Sequence, residues 1–345
     1  MAKPPERSAG EVNRAHWDAL AAVHGTGNDD YYDVDALAAG TRGLGTAEDR
    51  AIALAIGDVA GKDVLHLQCH LGFDAVLLAR RGARVIGADF SESSLTKARE
   101  IAVRCEVQIE YLHADSLDLP SALHGRFDLV YATIGVIGWI GDLDAWMASA
   151  AAALRPGGRL VLVEIHPLYS TIGSLEPLEL DFPYEDAGPQ MFDQDGSYAN
   201  PDAVVASTQT IEHAHSLGEV VTAAIGARMR VEALREHLAV ERDPAAPSSC
   251  ARKTGSCACG WAECPCRSSS RSSPRPSRAP DIRSRCAASR LHSPTRVAPF
   301  AVWGRQRRHS KPSIGTIAQI GTVRSWTPGA ALTCVVDTRG LLLAF

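Results

Sequence analysis

One acidic residue and one short loop carry the chemistry that stands out in this sequence of 345 residues. Asp89 ends an apolar run and follows Gln68 of the loop by 21 residues. A carboxylate at such a place can accept two hydrogen bonds at once, as binding both hydroxyls of a ribose requires. Asp89 is therefore a candidate for binding a ligand through a pair of hydroxyl groups.

Candidates for a role in catalysis follow the fourth and fifth predicted strands, where open α/β sheets bind their ligands. They are Trp139, Glu164, His166 and Tyr169. His166 has the side chain of a general base. The alternative is a loop histidine before Pro167 whose hydrogen bonds are satisfied within the protein. The candidates for catalysis are His166, Glu164 and Trp139.

Aromatic residues form a second group of candidates. Trp139 and the pair Tyr31 and Tyr32 can form the wall of a substrate pocket or stack against a cation. The alternative for all three is an ordinary place in the core or in a lid.

The elements that must position these residues follow from the apolar pattern. From Asp63 onward, short β-rich runs alternate with longer helical patterns, which predicts βα units on a mostly parallel sheet. Gly82 is expected to end one helix in a left-handed conformation, and Ser91 to cap the start of the next. The five strands are predicted over 63–69, 83–90, 107–115, 127–135 and 159–166.

The flanking segments add further elements. Val12, His16, Ala19 and Leu20 share one helical face, which predicts an amphipathic lid helix over 11–23. Downstream, a strand is predicted within 206–215, a helix over 217–229 and a sixth strand over 230–240.

Residues 10–243 resemble the class I S-adenosylmethionine (SAM)-dependent methyltransferases. Their first motif has the form hDhGxGxG, and this chain has VLHLQCHLG over 64–72. Gly72 is retained from the three glycines, whereas Gln68 and His70 replace the other two and His66 replaces the acidic residue. The resemblance also includes FDLVYATIGVIGW (127–139), which matches the family's fourth strand, and LRPGGRLVLVE (154–164), which matches its turn from a helix into the fifth strand.

The resemblance implies a doubly wound, Rossmann-like α/β fold with SAM as methyl donor. Asp89 would bind ribose and Asp115 with Ser116 would bind adenine, while the side chains of Gln68 and His70 either meet the SAM carboxylate or cap the next helix. No metal ion is expected. The cofactor-binding residues implied are His66, Gln68, His70, Gly72, Asp89, Phe90, Ser91, Asp115, Ser116 and Thr133.

Two alternatives to an active methyltransferase remain. A nicotinamide-dependent oxidoreductase has similar spacing, but its loop needs G-x-G-x-x-G, and Gln68 and His70 would crowd a pyrophosphate. A SAM-binding remnant without turnover is the other. The methyl acceptor is expected to be a small molecule and not nucleic acid, because residues 1–245 are acidic, with 19 Lys and Arg against 37 Asp and Glu.

No apolar segment suggests a membrane span or a secretory signal, so a cytoplasmic location is expected. The sequence gives no prediction of oligomeric state. Three regions are predicted: an N-terminal helical lid (1–50), the methyltransferase domain (51–245) and a low-complexity basic tail (246–345).

The tail differs from the rest in composition, with 16 Lys and Arg against 3 Asp and Glu and seven of the nine cysteines. Its serine- and arginine-rich stretch predicts disorder. A basic arm that binds nucleic acid and a zinc module are alternatives, although the C-x-C pairs fit zinc poorly.

A third hypothesis is that the tail is translated out of frame. Reading one base earlier converts every Cys and Trp codon of 249–273 into an apolar one, which would restore an apolar hairpin. The final antiparallel strand of the fold would then be missing from this chain, and the gene's bases near codons 244–249 test the idea.

Overall fold

The computed structural model describes residues 7–27, 31–175, 177–194, 196–237, 331–337 and 340–344. The predictions made for residues 246–330, including the frame hypothesis, lie outside the described residues. Among the helices of the described part, none combines the length and the apolar character that crossing a lipid bilayer requires.

The described residues form eight α-helices and twelve strands. The helices are α1 (Ala9–Val23), α2 (Val34–Ala38), α3 (Thr46–Ile56), α4 (Phe73–Arg80), α5 (Glu92–Arg104), α6 (Leu143–Ala153), α7 (Pro167–Ser170) and α8 (Leu217–Gly226). Short 3-10 helices lie at Ser121–Leu123 and Ile137–Trp139. The strands are β1 (Asp63–Leu67), β2 (Arg84–Asp89), β3 (Glu110–His113), β4 (Phe127–Thr133), β5 (Leu154–Ile165), β6 (Ile172–Leu175), β7 (Leu178–Leu180), β8 (Gln190–Asp193), β9 (Gln209–Glu212), β10 (Arg230–His237), β11 (Ala331–Asp337) and β12 (Gly340–Ala344).

Eight strands form the central sheet in the order β10-β12-β11-β5-β4-β1-β2-β3. β1 pairs in parallel with β2 and β4, and β2–β3 and β4–β5 are also parallel. The carboxyl ends of β1, β2 and β4 therefore meet at one edge of the sheet, as the sequence predicts. Two small antiparallel ribbons, β6–β7 and β8–β9, lie outside this sheet.

Alternate residues of the central strands face two different layers. Leu65 and Val130 pack with Trp146 of α6, whereas Val64 and Leu129 pack with the layer of α3 and α4. This two-residue period buries both faces, which is typical of a parallel sheet covered by helices on each side. The predicted doubly wound fold is confirmed.

Local capping follows the sequence. The side chain of Ser91 accepts a hydrogen bond from the backbone N–H of Ser94 and so caps α5, as predicted. Gly82 has a φ of 86° just past the end of α4, also as predicted. Helix α1 begins with a capping box between Ser8 and Glu11, which extends it two residues beyond the predicted start.

The structure differs from the sequence expectation beside β5. The last antiparallel strand was expected to be missing, but β11 pairs antiparallel with β5 over Ala331–Asp337 and also antiparallel with β10. Without β11, β5 and β10 would both present unpaired backbone groups there, and the β-prone run ALTCVVD supplies partners for both. The predicted tail of 246–345 therefore contributes strands to the sheet.

Candidate active site

The loop after β1 has the backbone shape of a glycine loop without most of its glycines. Gln68, His70 and Gly72 have φ values of 51°, 47° and 70°, so all three glycine positions of the family motif are left-handed. A side chain in this conformation costs about 1–2 kcal/mol per residue. The contacts of the two substituted residues must offset that cost.

The side chain of Gln68 is held by two hydrogen bonds to residues that follow β4. Its Nε2 donates to the carbonyl of Val136 at 3.0 Å, and its Oε1 accepts from Nε1 of Trp146 at 2.8 Å. The side chain thus ties the loop after β1 to the loop after β4 and to α6. It does not cap α4, whose N-cap is Gly72 with no side-chain bond.

His70 joins three elements through a buried chain of hydrogen bonds. Its ring Nδ1 lies 2.9 Å from Oγ of Ser94, and its Nε2 lies 2.8 Å from Nδ1 of His24 at the end of α1. His24 continues the chain from Nε2 to Oγ of Ser197 at 2.6 Å. Burial lowers the pKa of His24 to about 3 and holds the pKa of His70 well below its ordinary value. Both rings are therefore neutral near pH 7.

Asp89 ends β2 beside this loop. One carboxylate oxygen accepts from the backbone N–H of His70 and the other from that of Ser91, both at 2.9 Å. The residue is 6% exposed, and burial, with a smaller contribution from the charge of Asp18, raises the pKa of Asp89 to about 6. Asp18 of α1 accepts a hydrogen bond from Oγ of Ser91 at 2.6 Å, which places α1 over this end of β2.

The end of β3 is bonded to the end of β2. The N–H of Ala114 donates to the carbonyl of Asp89 at 3.0 Å, and Nε2 of His113 lies 2.9 Å from the carbonyl of Phe90. This pairing brings Asp115 and Ser116 to the same edge, where Asp115 is exposed and Ser116 is half-buried.

Gly72 is required by packing as well as by its φ value. A Cβ on Gly72 would lie 2.3 Å from the hydroxyl of Tyr111, which is buried against the loop. No residue larger than glycine fits there while Tyr111 holds its place.

His66 and Thr133 lie on the neighbouring strands. His66 of β1 is buried, with its ring centroid 5.2 Å from that of Tyr131, and burial lowers its pKa to about 4. Its Nδ1 has no hydrogen-bond partner among the described residues. Thr133 is half-buried at the end of β4.

Glu164 shapes the loop after β4. Its buried carboxylate accepts from the backbone N–H groups of Gly135, Val136 and Ile137 and from that of Ile165. Burial raises the pKa of Glu164, although these donors oppose the rise.

His166 has both ring nitrogens engaged. Its Nδ1 accepts from the N–H of Leu168, which caps α7, and its Nε2 donates to Glu236 of β10 at 2.8 Å. These partners match the alternative, in which a loop histidine before Pro167 is satisfied within the protein.

Helix α1 supplies residues that the sequence did not single out for the site. The ring of Trp17 lies 4.9 Å from that of His70 and 5.3 Å from that of Trp139, and the ring of His16 stacks on Trp139 at 6.3 Å. The amphipathic pattern predicted this helix as a lid. It gave no signal that Trp17 and His24 reach the loop after β1 or that Asp18 reaches Ser91.

Tyr31 and Tyr32 lie on the same side of the molecule. The hydroxyl of Tyr32 lies 2.5 Å from that of Tyr198, and its ring stacks on His24 at 4.7 Å. Tyr31 is exposed and contacts the edges of Tyr32 and Tyr198. Tyr32 thus packs against the pair His24 and His70.

Part of the chain is similar to known methyltransferases. Residues 64–158 match the family model described as a methyltransferase domain. The chain is 37% identical over 120 residues to a demethylmenaquinone methyltransferase of Thermus thermophilus, covering 34% of this chain and 53% of that protein. It is 30% identical over 110 residues to a ubiquinone biosynthesis O-methyltransferase of Alkalilimnicola ehrlichii, covering 32% and 44%. The chain spans about half the length of these curated relatives.

A solved structure of a SAM-dependent methyltransferase from Mesorhizobium loti is 25% identical, covering 56% of this chain and 84% of that one with a TM-score of 0.43. The match of residues 64–158 to a methyltransferase-domain model agrees with the sequence resemblance.

The residues at this edge fit SAM, the cofactor of the methyltransferases that the sequence resembles. A carboxylate has about four acceptor positions, and the two hydrogen bonds from His70 and Ser91 to Asp89 leave capacity for further donors. Aromatic faces attract a cation such as a sulfonium, and Trp17 and Trp139 lie together beside the loop.

Proposed function

We propose that this protein transfers the methyl group of SAM to a small-molecule acceptor. The observation that carries the proposal is the left-handed backbone at Gln68, His70 and Gly72, which keeps the shape of the motif where two glycines are replaced. When bound, SAM supplies an electrophilic methyl group on a sulfonium.

The adenosine end is assigned to the edge formed by β2 and β3. Asp89 would accept the two ribose hydroxyls, and Asp115 with Ser116 would meet the adenine. Phe90, half-buried, would pack beside the adenosine, and Ser91 holds Asp18 of α1 near the same carboxylate.

The methionine end is assigned to the loop over 68–72 and to the end of β4 at Thr133. The backbone of this loop is a better candidate than the side chain of Gln68 for contact with the methionine end of SAM, because that side chain is hydrogen-bonded to Val136 and Trp146. His66 lies beneath the loop, and its neutral ring adds no negative charge where related sequences have an acidic residue.

The protein's own part in the reaction is to hold an acceptor in line with the methyl group, since proximity and orientation supply most of the acceleration in such transfers. Glu164 fixes the loop that carries Trp139, and α1 covers the site from the other side. Enclosure of this kind excludes water from the reacting groups.

The relatives named for demethylmenaquinone and ubiquinone biosynthesis support a quinol-like acceptor. The test is formation of S-adenosylhomocysteine (SAH) by the full-length chain supplied with SAM and a panel of hydroquinones and phenols. Turnover that is lost in Asp89→Asn and retained in Asp58→Asn, an exposed control, supports the proposal. SAH binding without turnover on any member would favour a non-catalytic SAM-binding protein.

A further inference from the structure

His16 of α1 has a ring whose protonation state is set by its surroundings. The residue is 0% exposed, and its Nδ1 lies 2.7 Å from the carbonyl oxygen of Ser207. A carbonyl only accepts, so Nδ1 must carry the hydrogen. In the neutral ring Nε2 then holds a free lone pair. Nε2 is buried and has no hydrogen-bond partner in the part of the chain that the structure describes.

The ring of His16 lies next to two aromatic residues of the proposed site. Its ring is nearly parallel to that of Trp139, at 26°, and meets the edge of Trp17 at 6.4 Å. Trp17 in turn contacts His70 in the loop after β1. His16 is therefore separated from the loop by one aromatic ring, on the side where α1 covers the sheet.

The candidates that the sequence favoured for proton transfer are less suited to it. Glu164 accepts four backbone N–H groups, and His166 uses Nδ1 to cap α7 and Nε2 to bind Glu236. His16 combines a neutral ring, a fixed tautomer and an unengaged nitrogen. Burial also lowers the pKa of His16, so the ring stays neutral at pH values somewhat below the ordinary pKa of histidine.

We propose that His16 is the general base of the reaction and that the acceptor is a hydroxyl on a planar ring, a phenol or an enol. This inference rests on the proposed methyl transfer. Phenols have a pKa near that of tyrosine, about 10, and are un-ionised at neutral pH, so a base is needed. The flat faces of Trp17, Trp139 and His16 suit a planar ring.

The step is balanced within the site. The acceptor oxygen forms a bond to the methyl carbon and its O–H bond breaks, with the proton going to Nε2 of His16. The carbon–sulfur bond breaks and its electron pair stays on sulfur. One positive charge leaves the sulfur and one arrives on the imidazole, so the enclosed site holds the same net charge before and after.

The test uses His16→Asn in the full-length chain. The amide nitrogen of Asn occupies about the place of Nδ1 and can still donate to the carbonyl of Ser207, but no basic nitrogen replaces Nε2. The matched control is His124→Gln, because His124 bonds the carbonyl of Leu119 through Nε2, whose place the amide nitrogen of Gln takes, and lies outside the site.

Each variant is assayed with catechol, which is un-ionised, and with 4-nitrocatechol above its own pKa, which needs no base. We expect His16→Asn to lose about 100-fold or more in kcat/KM with catechol, the usual contribution of a general base. With ionised 4-nitrocatechol it should lose little, and its affinity for SAH should not change. Nitrogen NMR of the wild-type chain should find Nε2 of His16 unprotonated.

Several results would overturn this inference. Equal losses with both acceptors would make His16 a structural residue, and no loss with catechol would exclude it as the base. A neutral ring with its hydrogen on Nε2 would also exclude His16 as the base. Wild-type protein that binds SAH but methylates neither catechol would refute the acceptor class, whereas failure to bind SAH would refute the proposed function itself.

Discussion

The backbone N–H of His70 donates to Oδ2 of Asp89 across 2.9 Å, which joins the loop after β1 to the end of β2. The same carboxylate accepts from Ser91 through its other oxygen. Asp89, which is assigned to the ribose, is therefore held by the loop assigned to the methionine end. A substitution at Asp89 or at His70 should alter both ends of the proposed SAM site.

Replacing Asp89 by Asn should weaken SAH binding. The amide removes the charge and places an N–H₂ group against one of the backbone donors of His70 and Ser91. A hydrogen bond to a charged group contributes about 1.5–3 kcal/mol, so the dissociation constant should rise about 10- to 100-fold. Calorimetric titration measures this, with Asp58→Asn as control. An unchanged dissociation constant in folded Asp89→Asn would place the ribose elsewhere.

Binding of SAH should depend on pH through Asp89. Its pKa is raised to about 6 in the free protein, so the carboxyl becomes protonated as the pH falls below that value. If the ionised form binds, the association constant should fall by up to about tenfold per pH unit below this pKa and level off above it. The Asp89→Asn variant should lack this dependence. A flat profile for wild-type protein, with circular dichroism unchanged, would contradict the assignment.

The buried pair of His24 and His70 should make the fold sensitive to acid. The folded pKa of His24 is about 3 against an ordinary 6.5, so between these values the unfolded chain binds the extra proton. The free energy of unfolding should therefore fall as the pH falls through that window, by up to about 1.4 kcal/mol per pH unit for His24.

The variant His24→Gln isolates this effect. Asp89 titrates in the opposite sense between 3.8 and about 6, but it is common to both proteins. Urea unfolding over the window should give a shallower pH slope for His24→Gln, by about one proton. Equal slopes would mean that His24 is not buried in its neutral form.

Two substitutions at Gln68 should separate backbone strain from hydrogen bonding. Gln68→Gly and Gln68→Ala both remove the bonds to Val136 and Trp146, so both should be destabilising, by about 1–3 kcal/mol for each buried group left unpaired. Glycine adopts the φ of 51° without strain, so Gln68→Gly should be more stable than Gln68→Ala by about 1 kcal/mol. Denaturant midpoints at constant slope measure the difference, and the reverse order would mean that the loop is not left-handed there.

The sequence predicts the sheet well because apolar period and strand length are local signals. The strand that ends at Asp89 and the cap at Ser91 follow from residue types within a few positions. β3 is shorter than predicted, because only Glu110–His113 pair with β2.

The contacts that join distant residues were not predictable in this way. His24 and His70 are 46 residues apart, and no spacing rule connects them. The left-handed conformation of Gln68 and His70 could likewise not be predicted, because glycine is the residue that ordinarily indicates that conformation. β11 lies in a tail whose composition gave no indication of pairing with β5.

The most direct test of the account is calorimetric titration of the full-length chain with SAH, and in parallel with NAD. The loop geometry and Asp89 predict micromolar binding of SAH that Asp89→Asn weakens, and no binding of NAD. Binding of NAD without SAH by folded protein would contradict the account and indicate a nicotinamide site in its place.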